Sequence, residues 1–146
     1  MLLDDERLIW ACVEPMIIKT RGRSGPEKLM AYGEMSDGQR ALFIFQVLYG
    51  HMKHGINGFY DHISYLTSQM DIWSALKSGM RYFGLDEMAD LIGKMEEVYV
   101  CRAEGRVDPV AAEDLDAIYR KLLPALVMSI SERIRNHPED FLRLED

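Results

Sequence analysis

Residues 41–49 read Ala-Leu-Phe-Ile-Phe-Gln-Val-Leu-Tyr, and this run constrains the fold more than any other segment. Wound into a helix, Ala41, Leu42, Phe43, Ile44, Phe45, Val47, Leu48 and Tyr49 cover almost the whole circumference. A helix that is apolar nearly all round has to be buried on most sides. The unbroken apolar run within it, residues 41–45, is far shorter than the ~20 residues that cross a bilayer. The cover must therefore come from the rest of the chain. At 146 residues, 48% hydrophobic and 28% charged, the chain has a one-domain length and an ordinary globular composition.

The remaining segments show what that cover is made of. Alternating apolar and polar residues of strand length are nearly absent, whereas spacings of three and four recur. A first helix is expected over residues 4–20, with Asp4, Asp5 and Glu6 favouring its start and a kink or break near Glu14 ahead of Pro15. Residues 21–25 read as a loop, and Pro26 opens a short helix through Tyr32. Ser36 or Asp37 caps the central apolar helix, which continues to about Lys53. Gly55 and Gly58 then signal a break, followed by a helix over residues 59–67.

Asp71 caps a helix that Gly84 closes, and residues 86–100 carry the clearest apolar stripe in the chain: Met88, Leu91, Ile92, Met95, Val98 and Tyr99. The short connection predicts an antiparallel hairpin of these two helices. Asp108-Pro109 starts a long helix to about Asn136, kinked at Pro124, and residues 137–144 hold a last short turn. The expected fold is all-α, a single-domain bundle of about six to eight helices around a central apolar helix near residues 38–53. With no linker, repeat or low-complexity tract, residues 1–146 read as one domain.

Charge narrows the function classes. The net charge is −7; residues 1–80 hold nine acids and eight bases, residues 81–146 fifteen acids and nine bases. A C-terminal part this acidic repels phosphates, so direct nucleic-acid binding is not expected and a basic protein partner is. The two cysteines, Cys12 and Cys101, form no paired motif, and no signal peptide or membrane span is read, so the expected location is the cytoplasm. Cys12 lies on an apolar helix face and reads as a buried, inert thiol. No phosphate loop, nucleophile motif or cofactor motif is present, and no cofactor is expected. Self-association stays open.

Two constellations carry chemistry. Asp86, Glu87, Asp90, Glu96 and Glu97 share one expected helix, and Glu113, Asp114 and Asp116 the next. Carboxylates three or four apart on a helix stand ~5–6 Å apart, and such rows present a basic partner with an array of negative charge. The alternative is a metal-dependent module, for which His51, His54, Asp61 and His62 supply ligands of the types zinc accepts.

Residues 45–49, then Gly55-Ile56-Asn57-Gly58-Phe59-Tyr60, then the hairpin carrying Ala75-Leu76-Lys77-Ser78-Gly79 and Phe83-Gly84-Leu85-Asp86-Glu87-Met88-Ala89, resemble the bacterial family called domain of unknown function 4375. The likeness covers residues 40–100. It implies a small, acidic, helical protein, and its best-described member type is a DNA mimic. It also implies that Asn57, Gly58 and Phe59 form a structural turn, with Gly58 supplying a positive φ and Phe59 anchoring the next helix. The sequence reading is thus a non-enzymatic interaction module, in one form a DNA-mimic regulator.

Overall fold

Among the described residues, five of the seven α-helices begin on a side chain that accepts a hydrogen bond from their own first turn, so most helix starts follow directly from local sequence. The computed structural model describes residues 4–67 and 69–142. Asp4 accepts from the Arg7 amide (2.8 Å) to start α1 (Asp5–Thr20), and Ser24 accepts from Glu27 to start α2 (Gly25–Glu34). Ser36 and Gln39 form a reciprocal capping box at the start of α3 (Asp37–His51). A 3-10 turn (Met52–His54) leads into α4 (Gly55–Ile63). Asp71 caps α5 (Ile72–Tyr82), and α6 (Asp86–Ala103) starts on two acids, Asp86 and Glu87. Asp108 accepts from both Val110 and Ala111 to start α7 (Pro109–Asn136), and a 3-10 turn (Pro138–Asp140) follows. No strand occurs among the described residues.

The antiparallel hairpin of α5 and α6 closes as its glycine requires. Gly84 sits at φ 77°, its amide donates to Arg81, and the Leu85 amide donates to Met80 (3.0 Å). The same pattern ends α6, where Gly105 (φ 83°) lets the Arg106 amide reach the Cys101 carbonyl at 2.8 Å. Helix α6 therefore runs to Ala103, and Cys101 lies inside its last turn.

Of the kink or break expected near Pro15, the break does not occur, and α7 continues through Pro124 as one long helix, as expected. Each proline deprives one carbonyl, that of Ala11 or Arg120, of its helical donor. Both prolines and both of those residues are exposed, on the solvent side of their helices.

Helix α3 is the centre of the bundle, packed against α1, α4, α5 and the final turn. Leu42, Ile44, Phe45 and Leu48 are essentially inaccessible to solvent. Gly79 of α5 lies against Ala41, where an added Cβ would stand 3.6 Å from the Ala41 Cα, in ordinary van der Waals contact. Around this pair pack Ile9 and Val13 of α1, Ile56 and Phe59 of α4, Ile92 and Met95 of α6, and Leu126 and Ile130 of α7. No helix among the described residues is long and apolar enough to cross a membrane.

The end of the described chain is clamped onto the start of α3. Ser36 Oγ donates to the Asp140 carbonyl (2.7 Å) and the buried Gln39 amide reaches the Phe141 carbonyl (3.4 Å). Phe141 stacks on Phe83 with ring centres 6.1 Å apart. Beneath this contact is Gly38, where an added Cβ would stand 2.5 Å from the Asp140 carbonyl oxygen.

Two glycine-to-alanine substitutions in helices should therefore move stability in opposite directions. At Gly93, where nothing lies within 4 Å of an added Cβ, alanine should stabilise by about 0.5–1 kcal/mol through helix propensity. Gly38→Ala should destabilise by roughly 1–3 kcal/mol, because the clash with backbone outweighs that gain. Urea denaturation of both variants measures the contrast.

Candidate functional site

The eight carboxylates that the sequence groups on α6 and the first turns of α7 do not form one class. Glu96 is half-buried and ion-paired with Lys77 of α5 at 2.7 Å, which ties the two helices of the hairpin together. Asp116 turns inward: its Oδ1 accepts from the Ile56 amide at 2.9 Å, sixty residues away in sequence. Helix α4 has no cap of its own, so Asp116 supplies a carboxylate at the positive end of that helix. These two acids are engaged within the fold.

Asp86, Glu87, Asp90, Glu97, Glu113 and Asp114 are exposed. None of the six makes an ion pair among the described residues. At 100° per residue, Asp86, Asp90 and Glu97 fall on one ridge of α6, opposite its buried stripe of Met88, Leu91, Ile92 and Met95. Exposed Lys94 stands beside that ridge and offsets one of its charges. Glu113 and Asp114 occupy the second turn of α7, just past the connection from α6. Three valines of this region, Val100, Val107 and Val110, are 47%, 69% and 65% exposed.

Asn57, Gly58 and Phe59 are not a turn. All three lie in the first turns of α4. The left-handed residue is Gly55 (φ 82°), and it carries the change of direction between the 3-10 turn and α4. Gly58 is needed for a different reason, since an added Cβ would stand 3.0 Å from the Cβ of His54. Asn57 is exposed, and Phe59 is fully buried against the edge of Trp73.

The four residues of the metal reading are also dispersed. Asp61 binds Arg102 of α6 at 2.9 Å, and Arg102 in turn lies over the Tyr60 ring. His51 and His62 stack face to face, with ring centres 4.3 Å apart, while His54 is exposed on the 3-10 turn. Among the described residues these four do not bring three ligand atoms within coordinating range; the group that does is His137, Glu139 and Asp140, at the surface around the final turn. Burial first, then the neighbouring His62 and His54, holds the His51 imidazole below the ordinary histidine value and favours its neutral form.

Cys12 is buried, and desolvation pushes its thiol up, as an inert core cysteine requires. One feature escapes sequence reasoning altogether: a cleft of about 470 Å³ over the half-buried face of α3. Its sole trace in the sequence is the interruption of the apolar ring by Gln46 and Gly50.

Asp116→Ala should cost about 0.5–2 kcal/mol, the worth of a lost helix cap, whereas Asp116→Asn keeps an acceptor and should cost far less. Chemical denaturation of the two variants reads the difference directly. For His51 the unfolded value is 6.5 and the folded value lies below it. Its contribution to stability is therefore present above pH 6.5 and is lost as the pH falls through the folded value. The thermal midpoint of the native protein should drop between pH 7 and 5 more steeply than that of His51→Gln; equal slopes would contradict this assignment.

No protein-family model matches this chain, and neither does any curated protein or solved structure.

Proposed function

We propose that this protein is a non-enzymatic interaction module that presents the outer faces of α6 and the start of α7 to a basic protein partner in the cytoplasm. The observation that carries the reading is the group of six exposed carboxylates that make no ion pair among the described residues. Exposed acids that do pair, such as Asp61 with Arg102, have their charge already offset. Of the six charges on this face, Lys94 offsets one, and the rest remain available to steer a cationic surface. Val100, Val107 and Val110 stand among them as apolar contacts that exclude water once the surfaces meet.

Charge density decides between two forms of the reading. From Asp86 to Glu97 is eleven residues, about 16 Å of helix. One strand of B-form DNA carries about five charges over that length, both strands about ten. The α6 face carries Asp86, Glu87, Asp90 and Glu97, with Lys94 set against them. That is somewhat less than one strand, and it fits a discrete basic patch better than a protein built to grip a duplex. The DNA-mimic form rests on the family resemblance of residues 40–100 alone.

The test is affinity capture from the source cell, followed by binding measurements with the purified partner in low and high salt. Affinity should fall at least about ten-fold between 50 and 300 mM salt, mostly through slower association. Asp90→Lys with Glu97→Lys should weaken binding by a similar factor. Glu14→Lys with Glu34→Lys, which makes the same change of net charge on exposed sites of α1 and α2, should not. Salt-independent binding, or equal losses in the two double variants, would sink the proposal.

A further inference from the structure

Helix α3 is covered least along the face that carries Phe43, Val47 and Gly50, and this face floors the 470 Å³ cleft. Leu29 of α2 stands on one side; Leu66 and Met70, from the connection between α4 and α5, stand on the other. The volume falls within the range of ordinary small-molecule sites, and the lining is mostly apolar, as such sites are.

Its charge is the reverse of the protein's. The chain holds 24 aspartates and glutamates, yet none lines the cleft. Two cations do: Arg21, at the end of α1, and Lys28, in the first turns of α2. Neither makes an ion pair among the described residues. Both are exposed, so their charged ends are hydrated and reachable at the mouth. An apolar floor below two unneutralised cations, with no carboxylate to repel an anion, is complementary to a molecule with an apolar body and one negative end. A guanidinium adds a fork of donors that matches a carboxylate in two hydrogen bonds.

We propose that the cleft binds a small amphipathic carboxylate, its apolar body over Phe43 and Val47 and its carboxylate at Arg21 and Lys28. The site is separate from the acidic face of α6 and α7 and does not depend on that reading. Gly50 offers a clean way to close it. It lies in a helix, lines the cleft, and an added Cβ would meet only the Gln46 side chain, at 3.4 Å. A larger side chain there fills the cleft while favouring the helix.

The probes are decanoate, octanoate, decanol and decyltrimethylammonium, each below its micelle-forming concentration, titrated into the full chain by calorimetry and amide chemical shifts. Decanoate should bind at least about ten-fold more tightly than decanol, and the cation should bind least. Octanoate, two methylenes shorter, should bind about ten-fold more weakly than decanoate. Arg21→Gln with Lys28→Gln should bring decanoate down to the level of decanol. Gly50→Leu should weaken both decanoate and decanol at least ten-fold, with the thermal midpoint unchanged or raised. The proposal is overturned if decanol matches decanoate in the native protein, if decanoate binding survives Gly50→Leu, or if decanoate does not bind at millimolar concentration. Thermal midpoints of all variants separate lost binding from lost folding.

Discussion

The structure depends on the burial of α3. A helix with apolar residues on nearly every side gains little from one neighbour, because a single contact leaves most of its circumference wet. Four elements close on it: α1, α4, α5 and the final turn. Gly79 of α5 packs against Ala41 of α3, and α6 is then carried in place by the hairpin. The clamp of Ser36, Gln39 and Phe141 joins the start of α3 to the end of the described chain, so the central helix organises both the middle and the end of the sequence.

Electrostatics is arranged around that core in two ways. Some charges are spent on holding helices together. Asp5 of α1 receives hydrogen bonds from Ser131 (2.6 Å) and Arg135 (2.9 Å) of α7, Glu96 receives Lys77, and Asp116 caps α4. Other charges make no ion pair among the described residues, and these include six carboxylates on the outside of α6 and the start of α7 and the two cations Arg21 and Lys28 around the cleft above α3. An acidic net charge therefore conceals a locally cationic site, because the cations at the end of α1 and the start of α2 are set apart from the acids of the C-terminal half.

Helix starts were legible because a cap is a local event. Ser36, Asp71 and Asp108 each accept from an amide two or three residues on, a relation the sequence displays directly. The start of α4 was not legible, and the reason is particular. Its cap is Asp116, which no local rule connects to Ile56, and of the two glycines that signalled a break Gly55 carries the positive φ while Gly58 lies inside the helix. At Pro15 the sequence left a kink and a break open, and α1 runs through without a break. Local sequence shows the lost hydrogen bond, whereas the packing that holds the helix together around it is a property of the folded molecule.

Side-chain periodicity by itself determined an all-helical chain, the central place of residues 41–49 and the starts of most helices, since these follow from contacts within three or four positions. Only the tertiary structure decided which acids are structural and which are free, that Asp61 belongs to Arg102 while His51 stacks on His62, and that α2 and the α4–α5 connection leave a cleft beside α3. These are pairings between residues far apart in sequence, and they are set by how the helices pack.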